Sequence, residues 1–111
     1  MDRVIDELST IVLEEIAGYS RLRGYKATSY LLTDENSLAY AWVVVPSADH
    51  PMLDKPKISI MARIVSQYVV IEQDTTDKPL YEELLRRGIP RENIVLAYAG
   101  ERLPEEKGDD S

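Results

Sequence analysis

Apolar side chains at Ile5, Leu8, Val12, Ile16 and Tyr19 recur every three or four residues, the spacing that lines one stripe of a helix. Asp2 is placed to cap that helix, Gly18 and Gly24 bracket its end, and Val4 and Ile11 widen the stripe. A stripe that wide predicts a helix lying against a sheet. From Ala27 the period changes. Thr28 to Thr33 is rich in β-branched, aromatic and leucine residues and runs into the turn formers Asp34-Glu35-Asn36-Ser37. Leu38 to Val45 reads as a second strand, whose apolar run through Trp42 predicts burial on more than one side.

Pro46 to Pro56 is a polar loop with three prolines. Lys57 to Val65 then alternates, with Ile58, Ile60, Ala62 and Ile64 expected on one face and Ser59, Met61 and Arg63 on the other. A short Ser66-Gln67 connection leads to a strand over Tyr68 to Gln73, a hairpin without glycine.

The stretch from Asp74 to Tyr98 carries the densest punctuation. Thr76 is expected to cap a helix whose first turn holds Asp77 and Pro79, where orphan amides and the positive dipole end accommodate both. Leu80, Leu84 and Leu85 are expected to face inward. Arg86 and Arg87 fill the last turn, Gly88 takes the left-handed position after it, and Pro90 prevents continuation. Ile94 to Tyr98 reads as a short apolar strand, central or parallel. The order α-β-β-β-β-α-β predicts a two-layer α+β domain with its helices on one face of the sheet.

Composition narrows the function classes. The chain has 111 residues, enough for one domain with a real core, and we expect that domain over 1–104 with an acidic, disordered tail over 105–111. There is no cysteine, which removes thiolate metal sites and cysteine nucleophiles. No stretch resembles a signal peptide or a membrane span, so a cytoplasmic protein without membrane contact is expected. Twenty Asp and Glu against thirteen Lys and Arg leave a formal net charge of −7. That balance opposes strong direct nucleic-acid binding, because phosphate is repelled. The basic spots are Arg21, Arg23 and Lys26, then Arg86 and Arg87, and they read as solvated helix ends.

Candidate chemistry is sparse. Glu72 and Asp74 lie two apart on one strand, hence on one face about 6–7 Å apart, a geometry open to acid–base work or to the solvent face of a strand near a turn. Asp74 also suits a capping role in the Thr75-Thr76 turn. His50, the single histidine, sits between Asp49 and Pro51 with no second soft ligand, which reads as an exposed loop residue. No serine has the context of a nucleophile elbow, and the glycines are too scattered to cradle a phosphate. Seven tyrosines and Trp42 lack the basic groove that accompanies nucleic-acid stacking, so Tyr40 and Trp42 are read as core or interface residues. No catalytic residue, metal ligand or cofactor contact is assigned.

Four short matches then carry a resemblance: Gln73, Asp74, Thr76 and Asp77; Glu82, Glu83 and Leu84; Gly88, Ile89 and Pro90; Ile94, Val95 and Leu96. In this order they resemble the XisI family of cyanobacteria and similar bacteria, the fdxN element excision controlling factor, and the order of elements agrees over nearly the whole chain. The chain departs from the family pattern with Val70 and Met61 in place of a tryptophan and a histidine, with Ala41-Trp42 for a glycine-tryptophan pair, and with Ala97-Tyr98-Ala99-Gly100 after the last strand. It is similar to the family as a divergent member.

The resemblance implies a non-enzymatic accessory factor in excision of a DNA element. It implies contact with a nuclease-like XisH protein and with a site-specific recombinase. Among the residues singled out, Tyr40, Trp42, Glu72 and Asp74 are the candidates for partner contact, and homo-oligomerisation is an open expectation. The competing reading is a small ligand-binding or hydrolytic domain using Glu72 and Asp74.

Overall fold

The computed structural model describes residues 3–21 and 26–104. Expectations that fall on Asp2, Arg23, Gly24 or the 105–111 tail lie outside the described residues. Helix α1 (Arg3–Ser20) is followed by β1 (Ala27–Asp34), β2 (Ala39–Pro46), β3 (Lys57–Val65), β4 (Tyr68–Asp74), α2 (Leu80–Arg86) and β5 (Ile94–Leu96). The strands form one sheet in the order β1-β2-β3-β4-β5, antiparallel throughout except for the parallel β4–β5 pair. The α+β class and the element order follow the periodicities of the sequence.

The core lies between the helices and one sheet face. Leu8, Val12, Ile16 and Tyr19 of α1 and Leu80 and Leu84 of α2 pack with Tyr40, Ile60, Ala62, Ile64, Val69 and Ile71. These positions repeat at helix period in α1 and alternate in the strands, so each element buries one face. A smaller cluster joins Val70, Val95 and Leu103. Val70 lies between Val69 and Ile71 in β4, so its side chain is on the opposite face, where the segment after β5 returns to cover it.

Several local expectations change. Gly18 lies inside α1, which continues to Ser20. Leu85 is 37 % exposed, so α2 presents Leu80 and Leu84 alone to the core. β5 is parallel, one of the two expectations for it, but lies at the sheet edge rather than its centre, and Ala97–Ala99 form a 3-10 turn where Tyr98 was expected to extend it. The end of α2 matches its punctuation closely. Gly88 has φ +94°, its amide bonds Leu85 at 3.0 Å, and the Ile89 amide reaches back to Leu84 at 3.1 Å. Ile89, buried beside Leu84, seals that end.

Two register shifts flank β3 and account for the failed face assignments. In the β2–β3 ladder Trp42 faces Ile60 while Val43 faces Ile58, so Ser59 is the extra residue. Ile58 is thereby turned to the outer face, 41 % exposed, and Ser59 is buried. In the β3–β4 ladder Ile60 faces Asp74, Met61 faces Gln73 and Ala62 faces Ile71, leaving Glu72 unpaired. The glycine-free hairpin between β3 and β4 closes through Ser66, which takes φ +54°.

Candidate functional site

The bulge at Glu72 separates the two carboxylates that simple alternation would have placed together. Ladder partners share a face, so Asp74 stands on the helix side opposite Ile60, and Glu72 turns to the outer side. There Glu72 accepts from Arg63 Nε at 2.6 Å. Asp74 does different work. Its Oδ1 accepts the Thr76 amide at 2.9 Å and the Thr76 hydroxyl at 2.6 Å, and its Oδ2 accepts the Leu80 amide at 2.7 Å.

Asp74 is therefore the residue that caps α2, across a gap of six residues, while Thr76 lends its hydroxyl to the corner. Pro79 occupies the position before the helix and has no side-chain cap of its own. The corner is held to the sheet by Thr75, whose amide bonds the Ser59 carbonyl at 2.9 Å. The same bulge that buries Ser59 thus presents its carbonyl to the corner.

Helix α1 closes the arrangement. The Tyr19 hydroxyl donates to the Lys78 carbonyl, and the Tyr19 ring stacks on Trp42 with centroids 5.9 Å apart at 30°. Burial, reinforced by the nearby Asp74, Glu83 and Glu15 carboxylates, pushes the Tyr19 hydroxyl well above the usual phenol range. Beside this stack lies an open cavity of about 570 Å³, walled by Trp42, Lys57, Ser59, Thr76 and Lys78. Trp42 Nε1 is buried with no hydrogen-bond acceptor.

The four residues proposed for partner contact thus occupy distinct settings. Tyr40 is 5 % exposed and packs the core. Trp42 packs partly against that core and on Tyr19. Glu72 meets Arg63 on the outer face and Asp74 organises the α2 corner. They do not converge on one surface.

The basic spots are mostly committed to carboxylates. Lys26 meets Asp49 at 2.8 Å, Arg86 pairs with Glu83, and Arg87 reaches Glu14 at 2.7 Å and Glu15 at 2.6 Å. The Arg87 pairs tie the end of α2 to α1. His50 has a role that sequence reading missed. Its Nδ1 accepts the amides of Met52 at 3.0 Å and Leu53 at 2.8 Å, ordering the proline-rich loop. A histidine two and three residues before unpaired loop amides is the signal that could have found it. Among the described residues, no three His, Cys, Asp or Glu side chains come together as a metal site, and no helix is long and apolar enough to cross a membrane.

Fold and surface together define a helix-backed, five-stranded α+β protein whose polar side chains chiefly serve caps, corners and ion pairs. The XisI protein family matches residues 1–106, and the chain belongs to that family. A XisI-like protein from Anabaena variabilis ATCC 29413 shares the fold at TM-score 0.74 and 23% identity, over 92% of this chain and 91% of that one. The fdxN element excision controlling factor XisI from the same organism superposes at TM-score 0.69 and 22% identity, over 95% and 93% of the two chains. No curated protein matches the chain.

Proposed function

We propose that this protein is a cytoplasmic, non-enzymatic accessory factor in the excision of a DNA element, and that it acts by contact with a nuclease-like XisH-type protein and with the recombinase. The observation that carries the reading is the family match over residues 1–106. A structural relative bears the name excision controlling factor. The charge of −7 fits a protein that approaches a basic, DNA-handling partner rather than DNA itself.

The hydrolytic alternative loses its main support with the separation of Glu72 from Asp74. Acid–base work on one substrate needs both groups within reach of the same atoms. Here one carboxylate is paired on the outer face and the other has both oxygens occupied in the α2 corner.

Co-expression of the tagged chain with a XisH-type protein tests the proposal. One complex that survives gel filtration in moderate salt is the expected result. Two separate peaks at low and moderate salt alike would sink it.

A further inference from the structure

The two edges of the sheet are finished in opposite ways. β5 is three residues long, and its backbone is engaged beyond the sheet: Arg91 Nη1 donates to the Ile94 carbonyl at 2.8 Å, the Leu96 amide donates to Glu101 Oε1 at 2.9 Å, and the Glu101 amide donates to the Leu96 carbonyl at 3.1 Å. β1 is eight residues long, ATSYLLTD, and stands at the other end of the strand order. It contains no proline, lysine or arginine, and its ladder with β2 runs without a register shift. Charge, proline and bulges are the devices that blunt a free edge, and β1 lacks them up to its last residue, Asp34. Among the described residues, no backbone hydrogen bond outside the sheet reaches any residue of β1.

The outer face beside this edge is apolar as well. Tyr30 is 49 % exposed and Leu32 54 % exposed, and their ladder partners Val43 and Ala41 continue the surface inward. A free edge flanked by an open apolar row is the pairing surface of another strand.

We propose that β1 pairs antiparallel with β1 of a second copy of this chain, joining the two sheets into one across a two-fold axis at Leu31. A two-fold pairing brings a surface onto itself, so each copy both offers and satisfies the same edge. Centred on Leu31, Tyr30 of one copy faces Leu32 of the other on the outer side, and Ser29 faces Thr33 on the helix side. A centre at Tyr30 would instead set Leu32 against Thr28 and lose the apolar Tyr30–Leu32 pairs of the outer row.

The pairing places no like charges together at the edge, although two acidic chains repel overall. Asp34 is the one charge in β1, and antiparallel pairing puts the two Asp34 residues at opposite ends of the ladder, about 20 Å apart. That exceeds the screening length of about 8 Å at physiological salt. Edge pairing covers less than the roughly 800 Å² per partner of a standard interface, so a dimer in exchange with monomer is expected.

Sedimentation velocity across a hundredfold concentration range tests this. The expected result is a monomer–dimer equilibrium whose dissociation constant rises at least tenfold in Leu32→Lys and in Tyr30→Lys. Both side chains are exposed, so unchanged circular dichroism separates lost pairing from lost fold. The chain has no cysteine, which permits a direct check of register. Mild oxidation of a mixture of Tyr30→Cys and Leu32→Cys should give a cross-linked heterodimer, while either variant alone should not. A monomer at every concentration, a dimer indifferent to both lysine variants, or a mixture that fails to cross-link would overturn the proposal. Association solely with another protein would do the same.

Discussion

Asp74 Oδ2 accepts the amide hydrogen of Leu80 at 2.7 Å, and this one contact sets where the second helix starts. The same carboxylate holds Thr76 through Oδ1. Removing it leaves several donors at a partly buried corner without an acceptor. Asp74→Ala should therefore cost about 2–3 kcal/mol in urea unfolding, whereas Glu72→Gln, which loosens a half-exposed ion pair, should cost under about 1 kcal/mol. Equal effects would contradict the division of labour between these two carboxylates.

Gly88 and Gly18 should respond in opposite directions to alanine. Gly88 holds φ +94°, where a side chain is strained, and Gly88→Ala is expected to lose about 1–2 kcal/mol. Gly18 is exposed inside α1 with no atom within 4 Å of an added Cβ, so Gly18→Ala should gain about 0.5–1 kcal/mol. Thermal melts of the two variants check both signs.

Ser66 adopts φ +54° at the first position of the two-residue β3–β4 loop, a conformation that glycine takes without penalty. Ser66→Gly should raise stability by about 0.5–1 kcal/mol, read as a higher urea midpoint at unchanged slope.

Tyr19 links the end of α1 to the α2 corner through its hydroxyl. Tyr19→Phe should lose about 1 kcal/mol while keeping the stack on Trp42. Burial first, then the carboxylates around it, hold this phenol above its ordinary 10.0. Its contribution is therefore complete below pH 10 and is lost as the pH climbs beyond. In an alkaline absorbance titration one tyrosine fewer should ionise in Tyr19→Phe, and in the parent chain that last tyrosine should ionise together with unfolding.

Asp34 and Asp49 contribute to the stability that is lost in acid. The Ser37 side chain and the Asn36 amide lower the Asp34 carboxyl, and Lys26 followed by Ser47 lowers that of Asp49. Because both folded values lie below the ordinary 3.8, their contributions are present at neutral pH and fade as acid protonates them. Asp34→Asn should flatten the loss of stability between pH 5 and pH 2, measured by denaturant midpoints, relative to the parent chain.

Periodicity and punctuation were enough to read the element order, the apolar stripe of α1, the alternating core of β3 from Ile60 onward, and the glycine-closed end of α2. These are local properties: a repeat of 3.6 or 2, or a residue able to adopt positive φ, announces itself within a few neighbours. The family fingerprint in Gln73 to Leu96 was legible for the same reason.

Tertiary structure decided what depended on two strands at once. A bulge is a mismatch between a strand and its neighbour, so nothing in LysIle or GluGln pairs along one chain reveals that Ser59 and Glu72 are the extra residues. Those two insertions exposed Ile58, buried Ser59 and sent Glu72 and Asp74 to opposite faces. They turned an apparent pair of catalytic carboxylates into an ion pair with Arg63 and a cap for Leu80. The open edge at β1 and the covered one at β5 emerged the same way, since an edge is defined by the strand that is missing beside it.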